Sequence, residues 1–240
     1  MICCPYEIAA DDTKSYNISD MTADENGYYQ FSVALAAAQM MDEIKLSVMD
    51  GEKEISSKVY SVQGYAKVLL EENYDVSVKS MVKAMLNYGA KAQTYFGYNA
   101  DNLANAGYEI ENVSVPADSL TVPVEGAVSG IRFYGASLVY NSKIALRFYF
   151  TADSVDGLTF KVGDTSYDVE EKNGLYYVEV PGINPQAYDN VVNLVVSNGT
   201  NSLTVGYSPL HYITRMYHKN SSGESLKALL GAMYGMWARM

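Results

Sequence analysis

The chain has 240 residues, 48% of them hydrophobic and 19% charged, which is long enough for two domains and too apolar for a disordered segment. Seventeen basic against 28 acidic residues give a net charge of −11, a sign that repels phosphate backbones and anionic membranes and argues against a nucleic-acid partner. No apolar run reaches the ~20 residues that cross a bilayer, the first residues lack the basic and apolar regions of a signal peptide, and 22 Tyr against 6 Phe and 1 Trp is the compositional oddity.

Taken in chain order, the first notable residues are the only two thiols, Cys3 and Cys4. They are adjacent, so no disulfide framework is expected, and two ligands are too few for structural zinc. Asn26-Gly27 and Asp50-Gly51 are hairpin signals, because tight hairpin turns need positive φ at their central residues. Met81, Met85, Tyr88, Ala92 and Tyr95 recur at helical spacing and predict an amphipathic helix ending at Gly97. Residues 99–129 hold Pro116 and Pro123 with few large apolar side chains, and are expected to be a linker.

Residues 130–143 are expected to form strands, and 143–151 then alternate strictly. Ile144, Leu146, Phe148 and Phe150 take one face, and Ala145, Arg147 and Tyr149 the other, as in a half-buried strand. Asn173-Gly174 and Asn198-Gly199 repeat the turn chemistry. Ser208-Pro209 supplies an N-cap and a first-turn proline for a helix to about Lys219. Leu226, Leu229, Met233, Met236 and Met240 form the stripe of a last helix, and such a stripe at this spacing reads as core.

Sliding the chain on itself by 147 residues aligns Asn26-Gly27 with Asn173-Gly174, Tyr29 with Tyr176, Val33 with Val180, Gln39 with Gln186 and Asp42 with Asp189. That is six identities in 17 positions, where composition alone gives roughly one. The same shift puts Tyr60-Ser61 on Tyr207-Ser208 and Tyr65 on Tyr212. After one inserted residue, Ala84-Met85 falls on Ala232-Met233. The expected fold is therefore α+β, with two tandem copies of an antiparallel β-sandwich-like unit, each followed by a helical hairpin packed on it. Residues 1–98 are the first copy, 99–129 the linker and 130–240 the second copy. The first copy looks short at its start and the second at its end, as expected of a piece of a longer protein.

Tyr60-Ser61-Val62 with Tyr65-Ala66, and Val82-Lys83-Ala84-Met85-Leu86-Asn87-Tyr88-Gly89-Ala90 with Ala92-Gln93 and Tyr95-Phe96-Gly97-Tyr98-Asn99, carry a resemblance. They resemble a repeated module of large secreted proteins of gut and rumen Firmicutes, which often stands beside dockerins or carbohydrate-active domains. Tyr134-Gly135-Ala136-Ser137-Leu138 looks like the opening of the next copy's sheet, and the likeness covers most of residues 28–240. The second helix pair departs from it, with Gly235-Met236-Trp237 where the pattern has Asn-Tyr-Gly. The resemblance implies an extracellular or cell-surface location and no catalytic residues.

Chemistry-bearing residues are few. His211 and His218 lie seven apart on one predicted helix, too far to share an ion, and suit capping or surface roles. No nucleophile elbow, P-loop or dinucleotide glycine pattern occurs. The adjacent acids Asp11-Asp12, Asp24-Glu25, Glu71-Glu72 and Glu170-Glu171 read as solvated surface, and Asp42 with Asp189 as turn or cap residues. Asp153 and Asp156-Gly157 do not make an EF-hand pattern, and no metal or cofactor is expected. Arg147 and Tyr149, with Tyr177 and Glu179, are expected on an outward sheet face able to stack on and hydrogen-bond a polysaccharide, or simply to pair across strands. The first copy has Gln30 and Ser32 at the positions of Tyr177 and Glu179. The expected function is a non-catalytic extracellular module, structural or carbohydrate-binding, whose partners are a plant or host polysaccharide and neighbouring domains of the same chain. A glycoside hydrolase with unidentified carboxylates is the alternative.

Overall fold

A computed structural model describes residues 13–108, 110, 111, 113–117, 120–140 and 143–240, so Cys3, Cys4 and Asp11-Asp12 lie outside the described residues. The first element pair is a hairpin, β1 (Ile44–Asp50) and β2 (Lys53–Tyr60), turned at Gly51 with φ 60°. Helix α1 (Val62–Glu71) starts where the Ser61 hydroxyl accepts the Gly64 N–H at 3.0 Å. Helix α2 (Val76–Phe96) runs 21 residues and stops at Gly97, whose φ of 68° is the left-handed cap the sequence calls for.

Eleven strands are numbered in all. Five of them, β3 (Val124–Gly126), β6 (Thr159–Val162), β7 (Thr165–Ser166), β10 (Val192–Ser197) and β11 (Ser202–Tyr207), form a sheet in the order β3-β11-β10-β6-β7. Four more, β4 (Ile131–Tyr140), β5 (Ile144–Ala152), β8 (Glu170–Lys172) and β9 (Leu175–Ile183), form a second sheet in the order β4-β5-β9-β8. All pairings are antiparallel. Asn173 and Gly174, at φ 55° and 75°, make the two-residue loop between Lys172 and Leu175. The two sheets meet through Phe148 against Tyr207, 6.3 Å between ring centroids, and Phe150 against Phe160, 5.7 Å. The alternation read at 143–151 holds: Leu146, Phe148 and Phe150 are fully buried between the sheets.

Helix α3 (Pro209–His218) follows Ser208, and α4 (Glu224–Trp237) packs on α3 and on α2. Their apolar faces share one continuous core with the sheets, in which Val82 and Leu86 of α2 join Leu229 and Met233 of α4. Both bounds of α3 lie 147 residues beyond those of α1, and α4 starts 148 residues beyond α2. The hairpin β10-β11 precedes α3 as β1-β2 precedes α1.

Three expectations meet a different outcome. Asn26-Gly27 makes a turn, with Gly27 at φ 81° and the Asp24 carboxylate accepting the Asn26 and Tyr28 N–H groups at 2.9 Å, but residues 28–36 form no strand. The physical reason is the lack of neighbours: the corresponding β9 is held between β5 and β8, and a lone strand pair is marginal in water. Residues 99–129, expected to be a linker, are instead pinned along the protein. Gln93 Nε2 donates to the carbonyls of Asn99 and Asn102, Gln93 Oε1 accepts the Ala104 N–H at 2.8 Å, and β3 adds to β11. Polar helix residues with buried amides hold the segment where apolar side chains are scarce. The third difference concerns the Tyr149 face.

Candidate functional site

Strand pairing sets Arg147 opposite Glu179 and Tyr149 opposite Tyr177. The four side chains expected to form one face therefore do meet. Arg147 Nε donates to Glu179 Oε2 at 3.0 Å, its Nη2 donates to the same oxygen, and its guanidinium lies 4.2 Å from the centre of the Tyr177 ring. The rings of Tyr149 and Tyr177 are 6.0 Å apart, the hydroxyls of Ser137 and Tyr149 are 3.3 Å apart, and the Tyr177 hydroxyl donates to Glu170. Burial alone would lower the pKa of Arg147, yet the hydrogen bond and charge of Glu179 outweigh it and leave it above the ordinary value. The Tyr177 phenol is also raised, first by its bond to Glu170 and then by burial.

The expected open platform is corrected on one point. Arg147, Tyr149 and Tyr177 are buried and only Glu179 is partly exposed, so no flat aromatic face is offered to a sugar ring. Alternation tells which face a side chain takes, but the burial of that face depends on what lies over it. Arg147 spends its donors on Glu179, and Tyr177 spends its hydroxyl on Glu170.

The two histidines act as clamps. The Ser208 N–H donates to His211 Nδ1 at 3.1 Å, so the proton sits on Nε2, which donates to the Thr121 carbonyl at 3.1 Å. His218 Nε2 donates to the Val115 carbonyl, also at 3.1 Å. Capping describes His211, and both rings hold the 99–129 strap against α3. Among the described residues no group of three or more His, Cys, Asp or Glu is placed to hold a metal ion.

The same strap roofs two clefts. One, of about 900 Å³, is lined by Asn87, Lys91, Glu111, His218, Lys227 and Arg239 among others. The other, of about 460 Å³, is lined by Lys79, Lys83, Tyr108 and again Glu111 and Arg239. Arg239 joins them: Nε donates to Ser80 Oγ, Nη1 to the Gly235 carbonyl and Nη2 to the Glu111 carbonyl. The lining holds five lysine and arginine side chains against Glu111 and Glu224, in a chain that is otherwise strongly acidic. Apart from His218, none of the charged lining residues stands out from the sequence alone. A shift of 148 lays Lys79 on Lys227 and Lys91 on Arg239, and Lys79 and Lys227 line different clefts.

No protein family, curated protein or solved structure matches the chain. Among the described residues no helix is long and apolar enough to cross a membrane.

Proposed function

We propose that the chain is a non-catalytic structural module of a larger extracellular or cell-surface protein, built by duplication of a sheet-plus-helix-pair unit. The observation that carries this is the way its polar groups are spent internally. Arg147, Glu179, Tyr177, His211, His218, Gln93 and Arg239 each bond to the protein itself, and several of them tie one part of the chain to another. Such a scheme rigidifies a scaffold. A repeated sheet-plus-helix-pair unit fits the same reading.

Carbohydrate binding is supported by a separate observation, the cationic lining of the paired clefts, which suits a uronate-containing polysaccharide better than a neutral one. Affinity electrophoresis in polygalacturonate and in neutral xylan separates the two. A pure scaffold migrates unretarded in both. Retardation by polygalacturonate alone, lost in Lys91→Glu with Lys227→Glu, establishes the binding function instead. Release of reducing sugar from mixed polysaccharides, abolished by one carboxylate-to-amide change, overturns the non-catalytic reading.

A further inference from the structure

Strand pairing matches the two hairpins over five successive pairs, up to the bulge after Val48 that the second hairpin lacks. Ile44 faces Tyr60 as Val192 faces Tyr207, Leu46 faces Lys58 as Leu194 faces Val205, and Val48 faces Ser56 as Val196 faces Leu203. Their surroundings differ completely. Leu46 is 42% and Val48 40% exposed, whereas Leu194 and Val196 are each 0% exposed. Tyr60 is likewise open where Tyr207 is buried. Residues 28–36 tell the same story, since Val33 is 58% exposed and its counterpart Val180 5%.

What covers β10-β11 and β9 is known from this same chain. Strand β3 pairs with β11, β6 with β10 and β5 with β9, and Phe148 and Phe150 of β5 pack across onto the five-stranded sheet. All of these lie within residues 124–162. Among the described residues the first hairpin has neither outer edge paired nor a second layer over Leu46 and Val48, so its exposed row of apolar residues and its edges are a place for strands to add.

We propose that β1-β2 and residues 28–36 are an open half-sandwich that receives strands of the β3–β6 pattern from a further unit of this same kind. Charge supports that occupant. In the second sheet Lys161 of β6 stands opposite Val195, whose place in the first hairpin is taken by Ser47. The Ser47 hydroxyl donates to Glu54 at 2.9 Å, and Glu54 is held ionised down to a pKa of about 2, first by its hydrogen bond from Lys45. A lysine at the Lys161 position therefore arrives beside a carboxylate on the same face. The inference goes beyond the scaffold reading above and holds whether or not the clefts bind a glycan.

The test joins a second copy of residues 124–162 through a flexible linker ahead of the full chain and follows amide hydrogen exchange. Exchange at 28–36 and 44–60 is expected to slow at least about tenfold. A control insert with serine at the positions of Leu138, Leu146, Phe148 and Phe150 is expected to give no slowing. Leu46→Asp with Val48→Asp is expected to leave the melting temperature of the parent chain unchanged and to cancel the slowing in the fused one. Unchanged exchange in the fused chain, equal slowing by the serine control, or unfolding of the parent by the two aspartates overturns the proposal. So does slowing in the parent chain alone as its concentration rises, which would make a second copy the occupant.

Discussion

The Arg147–Glu179 pair shows at the scale of one residue how a charge can be placed to hold a sheet together. Arg147 is buried and its partner only partly so, hence removing one member leaves a poorly solvated charge behind. Arg147→Met is expected to cost roughly 2–3 kcal/mol in urea unfolding, somewhat below the usual cost for a fully buried pair because Glu179 keeps some water. Adding Glu179→Leu is expected to recover most of that loss; a double variant no better than the single one would show that the ring contact with Tyr177 matters more than the charge. Tyr207 gives the pH-dependent counterpart. Its hydroxyl is buried, and burial pushes its pKa up to about 12, against the pull of the Arg215 charge and of a hydrogen bond from Arg215. An unfolded tyrosine titrates near ~10, so the folded state favours the neutral phenol. The associated stability is complete below about pH 10 and falls as pH rises to 12, by ~1.4 kcal/mol per pH unit for this one group. Tyr207→Phe is expected to cost no more than about 1.5 kcal/mol at pH 7, the net worth of the single bond to Arg215, and to flatten the slope between pH 10 and 12 by about one proton. An unchanged slope in urea titrations across that range would assign the alkaline transition elsewhere, with Tyr188, which burial also raises, the next group to test.

Elements were legible where their signals are local. The helix beginning at Ser208-Pro209 and the stop at Gly97 depend on a few neighbouring residues, and both stand where the sequence puts them. The turn at Asn26-Gly27 is equally local and forms, but its strands need partners that periodicity cannot supply. The closed face at Arg147 was hidden for the same reason: alternation orders side chains on a strand and says nothing about the layer above. The strap was illegible because His211 and His218 hold backbone carbonyls 90 and 103 residues away in sequence, and Gln93 spends a buried amide on the backbone just beyond its own helix. Gly89 displays the conflict between local and tertiary preference inside one helix. On propensity alone, Gly89→Ala in the middle of α2 gains about 1 kcal/mol. A Cβ there, however, meets Met40 Sδ at 2.6 Å and the Ala37 carbonyl oxygen at 3.2 Å. The thioether can swing aside, whereas the carbonyl belongs to the turn Ala37–Gln39 and moves only with it. Gly89→Ala is therefore expected to destabilise by roughly 1–2 kcal/mol in chemical unfolding. Met40→Ala in the same chain is expected to recover only part of this; a stabilised Gly89→Ala variant would show that the turn yields freely.

Across the whole molecule, the α2–α4 contact decides whether the two hairpin-plus-helix-pair units behave as one. The core runs without a break from Val82 and Leu86 through Leu229 and Met233 to Leu146 and Val205. Phe96 at the end of α2 reaches Tyr140 of β4 at 5.8 Å, and Arg239 bonds to Ser80 across the helix pair. Separating the units would expose several such side chains at about 1.5–3 kcal/mol each, against a total stability of about 5–15 kcal/mol for an ordinary domain. Roughly three to five of them reach that margin. The first unit has little reserve of its own, because among the described residues its hairpin is uncovered and α2, its longer helix, packs on α4. Heating is thus expected to give one calorimetric transition with a van't Hoff to calorimetric enthalpy ratio near ~1. A fragment of residues 13–98 is expected to show no cooperative transition. Two resolved transitions in the full chain, or a fragment that melts cooperatively, would mean that the helix contact is an interface between independent domains and that the strap, not the shared core, holds them together.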